Sequence, residues 1–524
     1  FGSSVHLRCT AELCALRSCV RMDSEPQTSY QACNPLGLLG YEGGNRRVRR
    51  AVVAVGSLVA TASVGAVAWA SGSSANEVVP ASPQAVSLES ENARLRAQLG
   101  RLKEENHNLE EQMSKMPHAS AFTTDDFADM TVVGEWVSVQ YEWESAEQRE
   151  KAVADQSFIV ENNAITGLKV CGPKVAAKCT AERIFATVPR WRTGVWSTLN
   201  EVVRNSTGHQ VLRPWPTLEE NDPTDCSKLQ YVQSMEIDSQ GVMWVVDVGR
   251  KYFASADPAD VDNTCPPKMV LIDVPTGQVV DTYVFPDEVA PYTGSFLNDI
   301  VIDEANQVGY LSSTGNNLTD LGSLMVFDRK SKSSRRFQDR STQYNDIGDR
   351  IIIHGQDYTD KLHMPSDGIA LTPDGSKLYY SPIGNFDLFS LDTAVLRDSS
   401  KSDKEVAATV KHIGQKPSNS DGMSMGSNGV LYFGGLTTNS LYSWDPAAGP
   451  LSSAKTVVHD DYRLWWIDTF AWANDGSVWV TTNRLNKYFF GGMDFSGASG
   501  PNFRIVRIEV GTNSYMSHGS EQVA

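Results

Sequence analysis

From Val132 to Gly511 the chain reads as short apolar strands separated by Gly, Asp and Asn turns, with no long amphipathic helix between them. One pattern keeps returning: a small or acidic residue, an apolar strand, a turn, then an aromatic-rich strand. It runs from Ser234 to Asp247, Asn298 to Ser312, Ser366 to Tyr380, Ser420 to Phe433 and Asp468 to Val480. A weaker copy spans Ala164 to Val170 and Arg183 to Arg190. Each copy is a hairpin that cannot bury both of its faces alone. Stacking such units around an axis solves that problem, and a spacing of roughly 50–70 residues leaves room for four strands per unit. The prediction is an all-β, six-bladed β-propeller over 132–511. Val132–Trp143 and Phe503–Val510 are both strand-like and lie near the two ends of this region, so they are expected to share a blade and close the ring.

Upstream the periodicity changes. Leu88, Leu95, Leu102, Leu109 and Met116 recur every seven residues, with Asn92, Leu99, Asn106 and Met113 on the second seam position. This predicts a parallel coiled coil over 87–117, hence a homodimer, ended by Pro117. Before it, Arg46, Arg47, Arg49 and Arg50 precede an uncharged stretch, 51–70, long enough for one transmembrane helix. The positive-inside rule makes this a type II signal anchor with the propeller outside the cell or in a lumen. Ala68-Trp69-Ala70 also has the form of a cleavage site, which would give a secreted protein. Residues 1–50 read as a disordered or targeting tail, 71–86 as a spacer and 512–524 as a disordered tail.

Composition adds bounds. The 524 residues carry a formal charge of −17, which argues against nucleic acid as a partner, because phosphate neutralisation needs Lys and Arg stripes. Cys171 and Cys179 are close enough to staple a hairpin. Asn205-Ser-Thr and Asn317-Leu-Thr are glycosylation sequons, in keeping with an extracellular propeller. Gly422-Met-Ser-Met-Gly426 fits a nucleophile elbow formally but lies inside a strand repeat. No zincin, Walker or dinucleotide motif occurs.

Several segments then resemble one family. They are Ala186-Thr-Val-Pro-Arg-Trp-Arg-Thr-Gly-Val-Trp-Ser-Thr-Leu-Asn, Leu212-Arg-Pro-Trp-Pro, Cys265-Pro-Pro-Lys-Met-Val-Leu-Ile-Asp, Asp367-Gly-Ile-Ala-Leu-Thr-Pro-Asp-Gly with Leu378-Tyr-Tyr-Ser-Pro, and Trp466-Ile-Asp-Thr-Phe with Thr482-Asn-Arg-Leu. In this order they are similar to motifs of the yellow/major royal jelly protein family. The resemblance covers about residues 160 to 490 and implies a disulfide between Cys226 and Cys265. It also implies a small aromatic amine or dopachrome-like ligand in the channel.

The residues that open the repeats are the candidate ligand-binding set: Asn298, Asp299, Asp367, Asp421 and Asp468. They come from different blades and would converge on the axis, although Asp-Gly and Asn-Asp also shape turns. Trp465, Trp466, Phe470 and Tyr292 could stack on a planar ligand, and Arg484 could pair with a ring carboxylate. A more distant likeness to gluconolactonase/regucalcin-type propellers places a divalent ion, Ca²⁺, on Asn298, Asp367 and Asp421, with Gln233 where that family has glutamate. Three functions follow: a small-molecule binder or isomerase, a metal-dependent lactonase-like hydrolase, or a membrane-tethered display and adhesion propeller.

Overall fold

A computed structural model describes residues 127–315, 320–344 and 350–517. The stretches 51–70 and 87–117, read as membrane anchor and coiled coil, and the sequon residue Asn317 lie outside them. Among the described residues no helix is long and apolar enough to cross a membrane.

The described chain forms six four-stranded antiparallel sheets. Strand β1 (Met130–Trp136) comes first and is set aside until the end. Blade one holds β2 (Leu168–Cys171), β3 (Arg183–Thr187), β4 (Leu199–Arg204) and β5 (Gln210–Pro214). Blade two holds β6 (Val232–Ile237), β7 (Val242–Asp247), β8 (Lys268–Asp273) and β9 (Gln278–Val284). Blade three holds β10 (Leu297–Asp303), β11 (Val308–Ser313), β12 (Ser323–Asp328) and β13 (Ser333–Phe337). A two-stranded ribbon follows, β14 (Ile352–Ile353) and β15 (Gln356–Asp357). Blade four holds β16 (Ser366–Leu371), β17 (Lys377–Pro382), β18 (Asp387–Asp392) and β19 (Lys411–Gln415). Blade five holds β20 (Met423–Met425), β21 (Leu431–Gly435), β22 (Ser440–Trp444) and β23 (Lys455–His459). Blade six takes β24 (Ile467–Trp472), β25 (Ser477–Thr482) and β26 (Phe503–Glu509) from the C-terminal end. Its outer strand is β1, paired with β26 from Met130↔Ile508 to Trp136↔Phe503. The ring therefore closes as the strand pattern predicts.

Each repeat hairpin is the inner half of a blade, and its residues explain the turn. Asp238 accepts the N–H groups of Gln240 and Val242 on one carboxylate oxygen, at 3.0 and 2.9 Å, and the Trp244 indole N–H on the other. Gly241 completes the turn at φ +74°, a left-handed conformation that costs glycine nothing. Gln307 takes the same place in blade three at φ +59°. Trp244 and Tyr310, on the second strands of their blades, are fully buried. Such a side chain stabilises by about 1.5–3 kcal/mol on transfer from water.

The end of the chain departs from the sequence reading. Residues 512–517 pack across the far ends of the inner strands instead of forming a free tail. The Tyr515 N–H donates to Met425 O of blade five, and its hydroxyl receives the Ile302 N–H of blade three at 2.8 Å. The buried Tyr515 ring is what holds the segment down.

Two disulfides are present, Cys171–Cys179 and Cys226–Cys265, at sequence separations of 8 and 39. Loop-closure entropy predicts unequal effects: removing Cys226–Cys265 costs about 4 kcal/mol and removing Cys171–Cys179 about 2.5. Urea denaturation of the two double alanine variants checks the order, and equal losses would rule out the entropic account.

Candidate functional site

The inner strands run parallel to one another around the axis, so their first residues meet at one face. That face also carries the long loops, while the opposite one carries tight turns and the 512–517 segment. The first residues are aimed by a recurring irregularity. In β10, β16 and β24 the register slips by one residue between Leu297 and Ile300, Ser366 and Ile369, and Ile467 and Phe470. Each slip leaves two residues, Asn298-Asp299, Asp367-Gly368 or Asp468-Thr469, opposite one small hydroxyl residue, Ser312, Ser381 or Thr481. That hydroxyl takes the orphaned amide in two of the blades: Asp299 N–H donates to Ser312 Oγ at 3.0 Å and Thr469 N–H to Thr481 Oγ1 at 3.1 Å. A β-bulge of this kind re-aims side chains.

The Asp-Gly pairs do more than shape turns. A Cβ on Gly368 would lie 2.2 Å from Asp421 O, and one on Gly422 would lie 1.9 Å from Asp468 O. These glycines let neighbouring blades approach backbone to side, and that approach brings consecutive aspartates together.

The resulting array is continuous. Asn298 Nδ2 donates to Asp367 Oδ2 at 2.7 Å and to Thr314 Oγ1 at 3.1 Å. Asp367 and Asp421 are hydrogen-bonded carboxyl to carboxyl. The Trp466 indole N–H donates to Asp421 Oδ2 at 2.5 Å. Asp468 Oδ2 accepts from Asn483 Nδ2 at 2.7 Å. One step deeper, Asp299 accepts from Ser234 Oγ at 3.1 Å, beside the Lys169–Glu236 ion pair of 3.2 Å.

On its other side Asn298 ends a chain of donors. Trp191 Nε1 donates to the Tyr231 hydroxyl at 2.5 Å, and that hydroxyl donates to Gln233 Oε1 at 2.7 Å. Gln233 Nε2 then donates to Asn298 Oδ1 at 3.2 Å. All four side chains are buried.

Electrostatics follow from burial. Desolvation pushes the Asp299 carboxyl up to about 7, against the pull of Lys169. Burial also raises Asp367 to about 8 and Asp468 to about 6. Asp421 is raised well above the usual carboxylate range, first by burial and then by the charges of Asp367 and Asp468. Among the described residues no Lys or Arg forms an ion pair with Asp367, Asp421 or Asp468. The mouth is therefore a buried cluster of carboxyl groups that burial holds toward their protonated form.

As a divalent-metal site the trio of Asn298, Asp367 and Asp421 falls short. Asn298 aims its N–H, not its carbonyl oxygen, at Asp367. Among the described residues no three His, Cys, Asp or Glu side chains form a metal cage.

All five predicted polar residues are brought to the axis, and Trp466 joins them. Phe470 is not: past the bulge its ring packs in the core with Trp472, Val480 and Val506. Arg484 pairs with no ring carboxylate; it donates to Asn502 Oδ1 and Ser499 O and covers Trp465, 4.7 Å from the ring centre. Trp465 stacks on His354 and donates to Asp461 O. Tyr292 lies in the β9–β10 loop, its N–H held by Asp287. Asn205 lies at the turn between β4 and β5, where its side chain accepts the Thr207 and His209 amides. Sequence reading missed Trp191, Tyr231, Thr314, Asn483, Lys169 and Glu236. Lys169 and Glu236 could have been found, since each lies two residues beyond a mouth position and alternate strand residues share a face.

Fold and site together define a six-bladed propeller with an acidic channel mouth. The major royal jelly protein model matches residues 230–518, more than half of the chain, and the chain belongs to that family. It is 25% identical over 401 residues to Protein yellow of Drosophila erecta, covering 72% of this chain and 68% of that protein. It is 24% identical over 404 residues to major royal jelly protein 7 of Apis mellifera, covering 72% and 84%. Among solved structures, a luciferin-regenerating enzyme aligns at TM-score 0.41 and 12% identity, over 74% of this chain and 97% of that one.

Proposed function

We propose that the channel mouth binds a small organic cation with an aromatic body, an aromatic amine or a dopachrome-like molecule. The observation that carries this reading is the convergence of four buried aspartates, Asp299, Asp367, Asp421 and Asp468, without a matching set of cations. A guest ammonium would supply the missing charge against Asp367 and Asp421, and a buried charge pair of this kind contributes several kcal/mol of coupling. Trp466, hydrogen-bonded to Asp421, lies where it could meet the ring. The carboxyl pair shares a proton between two groups of differing acidity. Such a pair can take a proton from one atom of a bound molecule and return it to another, which is what an isomerisation requires.

The two disulfides suit an oxidising compartment. We read the propeller as extracellular or lumenal, with Asn205 on an accessible turn for a glycan, displayed in pairs by the 87–117 segment.

Calorimetry of the propeller with dopamine and serotonin tests the reading. Saturable binding at micromolar concentration is expected, weakening as pH falls from 8 to 5 because the acids take up protons. Silence toward both amines across that range would sink it and leave a display role without a small ligand.

A further inference from the structure

The relay behind Asn298 has a fixed direction. An indole N–H can only donate, so the Tyr231 hydroxyl accepts from Trp191, and among the described residues Gln233 Oε1 is the acceptor for its own buried proton. That leaves Gln233 to present Nε2, which only Asn298 Oδ1 can accept. Asn298 is then obliged to turn its N–H toward Asp367. Four bonds in series thus convert the chemistry of one indole into the orientation of one amide, about three residues away along the chain of contacts.

We propose that Trp191, Tyr231 and Gln233 are positioning residues that lock Asn298 as a donor, and that this lock excludes divalent cations from the mouth. A Ca²⁺ ion needs six to eight oxygens at 2.3–2.6 Å. Asn298, Asp367 and Asp421 would offer three protein oxygens only if Asn298 reversed. Reversal would set its N–H against the N–H of Gln233 and take its own donor from Asp367, leaving Thr314 Oγ1 at 3.4 Å on that side. In a buried site each such mismatch costs about 1–3 kcal/mol. The lock therefore acts against one class of guest: it refuses a metal ion, which needs a directed amide oxygen beside the carboxylates. The inference does not depend on the amine reading, because a propeller that binds no amine still has the relay.

Tyr231→Phe tests it without adding charge. The variant keeps the ring and removes the first two bonds of the relay, so Gln233 and Asn298 are free to turn. Calorimetry with CaCl₂ should show Ca²⁺ binding at least about tenfold tighter than in the parent chain. Gln233→Met gives a second route that adds no ligand: it removes the amide that holds Asn298 Oδ1, so Asn298 is free to show its oxygen to Asp367. Ca²⁺ should again bind at least about tenfold tighter than in the parent chain. Folding of both variants is checked by circular dichroism melts, and Gln233→Met carries the test where Tyr231→Phe fails to fold. Parent and folded variants binding Ca²⁺ equally, or both folded variants remaining silent, would overturn the proposal. Dopamine titration of the same samples reports separately on the amine reading.

Discussion

Asp367→Asn is expected to raise the melting temperature of the ligand-free protein at pH 8 by about 3 °C and to weaken amine binding about 100-fold. The sign follows from the carboxyl's position. Burial lifts Asp367 to about 8, above the ordinary carboxylate range near 4 of an unfolded chain. The folded protein holds this proton where the unfolded chain has released it. Its contribution is therefore full below about pH 4 and is lost as pH rises through about 8. At pH 8 the folded state must keep a buried charge or a forced proton there; asparagine requires neither. Its amide oxygen can still accept from Asn298, and its N–H can donate to Asp421. The difference should shrink as pH falls from 8, and near pH 4, where aspartate is protonated in the folded and the unfolded chain alike, the two proteins should melt together. Differential scanning fluorimetry between pH 4 and 8, with calorimetry for dopamine, measures both effects. A variant that melts lower at every pH would show Asp367 to be a structural residue and not a site residue that costs stability.

The opposite sign is expected at Asp247, a fully buried aspartate near the base of the relay. Asp247 accepts the N–H groups of Gln230, Tyr231 and Gly249 at 2.8–3.0 Å and pairs with buried Lys268 at 3.0 Å. Lys268 also donates to Cys226 O and Lys228 O, so it ties the disulfide loop to the same carboxylate. Asp247→Ala strands a buried ammonium and three amides, and should cost about 3–5 kcal/mol. Equilibrium urea unfolding at pH 7 gives the value, and a loss under about 1 kcal/mol would mean the loop relaxes enough to hydrate Lys268. Tyr231, whose amide Asp247 holds, ties this stability to the relay above it.

The architecture was legible because each hairpin carries its own turn chemistry. Asp238 with Gly241 and Asp374 with Gly375 mark tight turns by local rules, and period-two alternation does the rest. The axis residues were legible as repeat openers, since Asp367-Gly368 and Asp421-Gly422 recur at one phase. Phe470 was misread because the bulge in β24 slips the alternation by one residue and turns its ring into the core. The relay could not be read at all. Tyr231 and Gln233 are only 2 residues apart, but Trp191 and Asn298 stand 40 and 65 residues from their partners, and nothing local announces either. Residues 512–517 look polar and irregular, and only contact with Met425 and Ile302 gives Tyr515 a place.

Pairing β1 with β26 also sets a clock for synthesis. Roughly 370 residues separate the two strands, which at about 5–20 residues per second is of the order of 20–70 s on the ribosome. During that interval β1, with Val132 and Val133, has no partner, and blade six cannot exist. A nascent chain of this kind carries an unpaired, β-branched edge for most of its emergence, the state most open to wrong pairing with neighbours on the same message. Covering the first strand until β26 emerges should therefore raise the yield of folded protein.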